Sequence, residues 1–153
     1  MDEALERLPH VDEHSLVVDA GREATWKALL RVVEGSVSAG GAPRIAGLLG
    51  CADTAPSGPR PLATGSTLPG FHVAADEPLT ELALAGSHRF SDYALIFRLE
   101  ALEAGRTRVR AETRAEFPNL KGGVYRALVI GTRMHVLVTR RILAGVKRNA
   151  ERS

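Results

Sequence analysis

The chain has 153 residues, 44% of them hydrophobic and 25% charged, with a single cysteine, Cys51. This length and composition suit one domain with a substantial core and would be cramped for two. The lone cysteine excludes an internal disulfide and fits a reducing compartment, and no apolar run reaches the roughly 18 residues a spanning helix needs.

The net charge of +2 is unevenly spread: residues 118–153 carry eight Lys or Arg against Glu151, whereas residues 1–34 carry eight acids against four bases. A nucleic-acid face would pair such a basic stretch with aromatic side chains that stack on bases. None interleaves here, and only three of the 20 basic residues are lysines. A solvated helix face is the expectation, with no nucleic-acid partner. No basic-plus-apolar leader is recognisable, so a cytoplasmic protein is expected.

Residues 1–13 are polar and acidic and read as an arm leading into the first strand, "HSLVVDA". Asp19 is placed to cap the helix that follows, "REATWKALLRVVEG", with Trp26, Leu29, Leu30 and Val33 at helical spacing and a stop at Gly35. A short second helix, "APRIAGLLG", is expected between Pro43 and Gly50. Residues 51–69 are crowded with Pro, Gly and Ser and read as a loop, open to use as a lid or as a plain linker.

The period then becomes two. "GFHVAADEPLTELALAG" reads as two strands around a turn at Asp76 to Pro78, "HRFSDYALIFRLEALE" as a long strand, and "RTRVRAETRAEF" as its partner across Ala104-Gly105. In the last, Val109, Ala111, Thr113, Ala115 and Phe117 share one face, expected to be buried. Arg108, Arg110, Glu112, Arg114 and Glu116 share the other, expected to be wet. From about Asn119 to Glu151 a long helix is expected. Leu120, Val124, Leu128, Val138, Ile142 and Val146 form its core stripe, and Arg126, Arg133, Arg140 and Lys147 its solvent side.

That stripe also contains Gly131 and His135. Glycine inside a helix costs roughly 1 kcal/mol relative to alanine, so a steric reason is implied. Either the glycine opens a cavity beneath the helix or it lets the helix pack closely on the sheet.

"HVDEH", His10 to His14, has the H-x-x-E-H spacing of one class of zinc peptidase. That motif needs a helix to present its ligands together, whereas this segment follows Pro9 and runs into "SLVVD". No metal is expected. Cys51 has no CxxC partner, "GSTLPG" lacks the lysine of a phosphate loop, and no dinucleotide fingerprint occurs. No cofactor is implied.

The order strand, two helices, a run of strands and a long helix resembles the START-like helix-grip plan of the SRPBCC superfamily, which includes polyketide cyclases and lipid-transport proteins. "HSLVVDAGREATWKAL" resembles its opening strand and helix, "ELALAGSHRFSDYALIF" its central strands, and "AEFPNLKGGVYRALVIGTRMHVLVTRRIL" its last strand, glycine-containing corner and grip helix. The resemblance spans nearly the whole chain and implies an α+β fold in which a curved antiparallel sheet wraps around the long C-terminal helix. The same plan places another strand after the two short helices, where residues 51–64 read poorly as one.

The resemblance further implies a cavity between sheet and helix that takes a hydrophobic small molecule, lipid-like or polyketide-like. Its expected walls are Leu128, Gly131, Met134, His135 and Val138 from the helix and Leu95, Phe97 and Phe117 from the sheet. His72, His88, Tyr93, Thr113, Tyr125 and His135 are its candidate polar contacts. A histidine and a tyrosine in such a cavity could perform acid-base work on a carbonyl compound or could simply orient a ligand. Non-catalytic binding is the preferred reading, because no convergent pair with fixed spacing is present.

Overall fold

The structure is a computed structural model, and it describes residues 3–38, 47, 50, 53, 55–88, 91–117 and 134–152. Among these, six strands form one curved antiparallel sheet that does not close into a barrel. In chain order the elements are α1 (Glu3–Glu6), β1 (His10–Val18), α2 (Arg22–Ser38), β2 (Thr67–Leu68), β3 (Phe71–Glu77), β4 (Glu81–His88), β5 (Ser91–Ala101), β6 (Thr107–Glu116) and α3 (Met134–Glu151). The strand order is β1-β6-β5-β4-β3-β2, so the first strand crosses over to pair with the last and the others form a meander.

The register gathers the alternating side chains into rows. Leu82, Phe97, Ala111 and His14 lie opposite one another across β4, β5, β6 and β1. The next row holds Val73, Leu84, Leu95, Thr113 and Asp12. This is the inner face. Its apolar members join Trp26, Leu29 and Val33 of α2 and Ile142, Leu143 and Val146 of α3 in one core. Bulges between His10 and Asp12 in β1 and between Val73 and Ala75 in β3 shift the register, and such bulges bend strands.

Several sequence expectations change. The arm and the zinc-like motif are not a lead-in: β1 begins at His10, and "HVDEH" is extended strand. Its mixed polarity reflects an edge strand with both faces partly solvated. Within the arm, α1 turns Leu5 under the outer face, against Ala83, Ala85, Ala94 and Ile96. The small residues there leave an apolar patch that Leu5 and Leu8 cover. The helix α2 starts at Arg22, so Gly21 rather than Asp19 precedes it, and it continues past Gly35 to Ser38. The expected second helix falls outside the described residues apart from Gly47 and Gly50.

The awkward strand is present but only two residues long, β2, with an isolated bridge between Ser57 and Thr67 beside it. The described part of the 51–69 loop is tied down. Arg60 donates to Glu34 of α2 at 2.6 Å and to the carbonyls of Ser57, Pro59 and Thr67, while Leu62 is buried.

The C-terminal helix is described from Met134, and the expected portion before it lies outside the described residues. Ile142 and Val146 are buried and Arg140 is exposed, as the stripe requires. Val138 departs from the stripe: it is 51% exposed, and Leu137 beside it is 47% exposed. A glycine of this helix does serve close packing. A Cβ at Gly145 would meet Val32 of α2 at 3.0 Å, so this position sets how near the two helices lie.

Candidate functional site

The inner face changes character along its length. Leu16, Val109 and Leu99 lie opposite one another at one end, beneath the helices. Toward the other end polar groups enter the rows. Thr113 stands between Leu95 and Asp12, and Tyr93 stands between Gly86 and Ala115. His88 sits at the end of β4, its ring 5.4 Å from that of Tyr93, and Phe71 meets the same tyrosine edge-on at 5.2 Å. Five residues marked as cavity candidates therefore share this face: His88, Tyr93, Leu95, Phe97 and Thr113.

Tyr93 is held in one place. Its hydroxyl donates to the carbonyl of Gly70, and its ring lies against Gly86. Gly70 ends the turn between β2 and β3 with φ of 84°, a conformation that suits glycine. Burial pushes the His88 imidazole below its ordinary range, partly offset by the Asp92 carboxylate, so His88 is neutral near pH 7.

Other candidates are placed differently. His72 lies opposite Ala85 in an outer row, with its Nδ1 3.2 Å from Asp53, so it belongs to the face away from the core. The alternation reverses there because β3 is bulged one residue further on. Phe117 follows the end of β6 and is half-buried. Met134 and His135 open α3, but their side chains are outside the described set, as are Tyr125, Leu128 and Gly131.

Two inner-face residues were not among the candidates. Asp12 and His14 occupy the β1 ends of the inner rows, and His14 Nε2 donates to Asp12 Oδ2 at 3.2 Å. Their signal in the sequence is parity: Asp12, His14, Leu16 and Val18 alternate as one face once the strand is started at His10.

The outer face holds a charge cluster where a wet stripe was expected. Glu112 is 6% exposed, with His10 Nδ1 at 2.7 Å, Arg98 at 2.9 Å and Arg114 at 3.1 Å from its carboxylate. Burial alone would raise this carboxyl. The hydrogen bonds from His10 and Arg98 and the charges of Arg114 and Arg98 outweigh it and hold Glu112 below the ordinary carboxylate range. Arg114 also donates to the carbonyls of Glu6 and Leu8, so the cluster fastens the N-terminal segment to the sheet.

Among the described residues no three His, Cys, Asp or Glu side chains gather to hold a metal ion, and no helix is long and apolar enough to cross a membrane. An open groove of about 590 Å³ runs between α2 and α3, lined by Val32, Gly35, Arg141, Ala144, Gly145 and Arg148 among others.

No protein-family model matches the sequence, and no curated protein matches it. Solved structures do match in shape. A conserved protein from Geobacillus kaustophilus gives a TM-score of 0.56 at 14% identity, over 92% of this chain and 95% of that one. The Zhui aromatase/cyclase from Streptomyces sp. R1128 gives 0.55 at 15% identity, over 95% of each chain. Ara h 8.0201 gives 0.51 at 9% identity, over 93% of this chain and 97% of that one. At these identities the likeness is one of fold. A curved antiparallel sheet gripping a C-terminal helix, with a helix after its first strand, is the helix-grip fold, and this chain has it.

Proposed function

We propose that the protein binds a hydrophobic small molecule, lipid-like or aromatic, between the inner face of its sheet and its C-terminal helix, as a carrier or sensor. The observation that carries this reading is the inner face itself. Its apolar rows run toward Tyr93, Thr113 and His88, which offer polar contacts at one end of an otherwise greasy face. Such a surface suits a ligand with an apolar body and a polar tip. Gly131 and His135 are proposed as the helix side of the same cavity.

A second reading, acid-base catalysis of the polyketide-cyclase kind, draws on the His88 and Tyr93 contact and on the fold shared with an aromatase/cyclase. Binding is favoured over it because the Tyr93 proton is committed to the Gly70 carbonyl. The reading includes no metal, cofactor or nucleic acid.

Native mass spectrometry of the purified protein tests both readings. The expected result is a co-purifying apolar metabolite, or stoichiometric uptake of an added one, with no chemical change on incubation. Gly131→Leu should abolish that uptake while the domain stays folded. Conversion of the compound, lost in His135→Ala or His88→Ala, would favour the enzyme. No uptake of any apolar compound would overturn both.

A further inference from the structure

The core uses one face of α3. Ile142, Leu143, Val146 and Ala150 belong to the cluster that joins the helix to the sheet and to α2. Leu137, Val138, Arg141, Ala144, Gly145 and Arg148 follow one another at helical spacing on the opposite side, within an arc of about 120°. The outer face of such a helix is normally polar. Here it carries Leu137 and Val138, the large apolar side chains left exposed among the described residues.

The groove between α2 and α3 lies along the same face. Arg141, Ala144, Gly145 and Arg148 form its α3 side, and Val32, Gly35 and Ser36 its α2 side. Gly35 stands inside α2, where glycine weakens a helix. A Cβ there would meet nothing within 4 Å, so packing among the described residues gives no reason for the glycine. What it leaves is room at the wall of the groove.

Charge completes the surface. Arg141 and Arg148 stand about 10 Å apart along the helix axis, and neither has an ion pair among the described residues. No acidic side chain is among those lining the groove. The carboxylates of Glu34 and Glu151, one on each helix, are taken by Arg60 and Lys147. The Arg148 guanidinium reaches back over the groove, 3.9 Å from the Cβ position of Gly145.

We propose that this groove docks an acidic amphipathic helix of another protein, whose apolar side chains cover Leu137 and Val138 and whose carboxylates pair with Arg141 and Arg148. Carboxylates seven residues apart on the incoming helix repeat the spacing of about 10 Å, and each can take a guanidinium through two parallel hydrogen bonds. A concave groove suits a helix better than a flat bilayer. It offers an extended strand few polar side chains, Ser36 and Asn149, whereas a helix arrives with its own backbone bonds made. A second copy docked by the same face would set the arginines against one another. The site lies on the far side of α3 from the core and is independent of the ligand reading above.

The test uses the full chain and a labelled, designed helical peptide with leucines along one face flanked by two glutamates seven residues apart. Fluorescence anisotropy should report micromolar binding, as suits a small, transient interface. Replacing both glutamates by glutamine should weaken it about tenfold or more, as the loss of two charge-assisted pairs allows. Arg141→Glu combined with Arg148→Glu should weaken it by a similar factor. Arg140→Glu, an exposed charge outside the groove, should change it less than about twofold at physiological salt. Gly35→Leu puts a side chain into open space, so it should melt no lower than the parent and lose the peptide. No binding, equal binding of the glutamine peptide, an equal loss in Arg140→Glu, or retention in Gly35→Leu would overturn the proposal. Binding of phosphatidylglycerol vesicles in place of the peptide, or a dimer that Gly35→Leu dissociates, would overturn it in favour of a membrane or a second copy.

Discussion

Gly86→Ala should lower the unfolding free energy by more than about 3 kcal/mol, at or beyond the upper end of overpacking costs. A Cβ at this position would overlap the carbonyl oxygen of Gly70 and stand 2.7 Å from both the ring edge and the hydroxyl of Tyr93. One obstacle is backbone, held by the turn between β2 and β3, and the other is a ring that packs on Phe71 and His88, so neither can yield cheaply. Glycine within a strand commonly marks such a close approach of another backbone. Tyr93→Phe removes the hydroxyl bond to Gly70 while keeping the ring and should cost about 1 kcal/mol. Denaturant titration of the two variants separates them. A Gly86→Ala protein within about 1 kcal/mol of the parent would mean that Gly70 does not cross this point and that Tyr93 is free to move.

The second large effect belongs to Glu112. Gln at this position keeps the shape but leaves Arg98 and Arg114 against a neutral group in a mostly buried place, a change worth about 3 kcal/mol at neutral pH. The pH dependence follows from the direction of its shift. A carboxyl held below its ordinary value near 4.5 stabilises the fold above that value. The contribution is lost as pH falls through the lower, folded-state value. The parent should therefore lose stability below about pH 4.5 more steeply than Glu112→Gln, and the two should converge in acid. Parallel curves, or equal stability at neutral pH, would show that the cluster does not act as a unit.

Much of the sheet was legible because β6 alternates cleanly between apolar and charged residues and Gly, Pro and Asp punctuate the strands on either side. The strands between Phe71 and Glu116 and the turn at Ala104-Gly105 lie close to where that pattern puts them, whereas the turn expected at Asp76 to Pro78 lies at 78–80, because Asp76 and Glu77 still pair with Leu82 and Glu81. Alternation alone puts Glu112 on a wet face, and the structure buries it. Glu112 is buried because His10, Arg98 and Arg114 close over it and Leu5 and Leu8 cover the neighbouring alanines, contacts between segments far apart in the chain. At Gly35 the local propensity to stop a helix was overridden, and α2 runs on beside α3.

The candidate site was legible in part. Tyr93, Leu95, Phe97 and Thr113 fall on one face by parity alone. His72 fell on the wrong face because a bulge is invisible in a pattern of single residues. Asp12 and His14 were missed because a polar edge strand looks like an arm until its partner, β6, is known. Tyr125, Leu128 and Gly131 lie outside the described residues.

The central claim is that a ligand enters between the sheet and the helix, and methyl NMR with bound 2-methylnaphthalene tests it most directly. Intermolecular contacts are expected to the methyl groups of Leu95, Ala111 and Thr113 on the inner rows, with little effect on Val32 and Ala144 in the groove between α2 and α3. Contacts confined to Val32 and Ala144, with the inner-row methyls unchanged at saturation, would contradict the account.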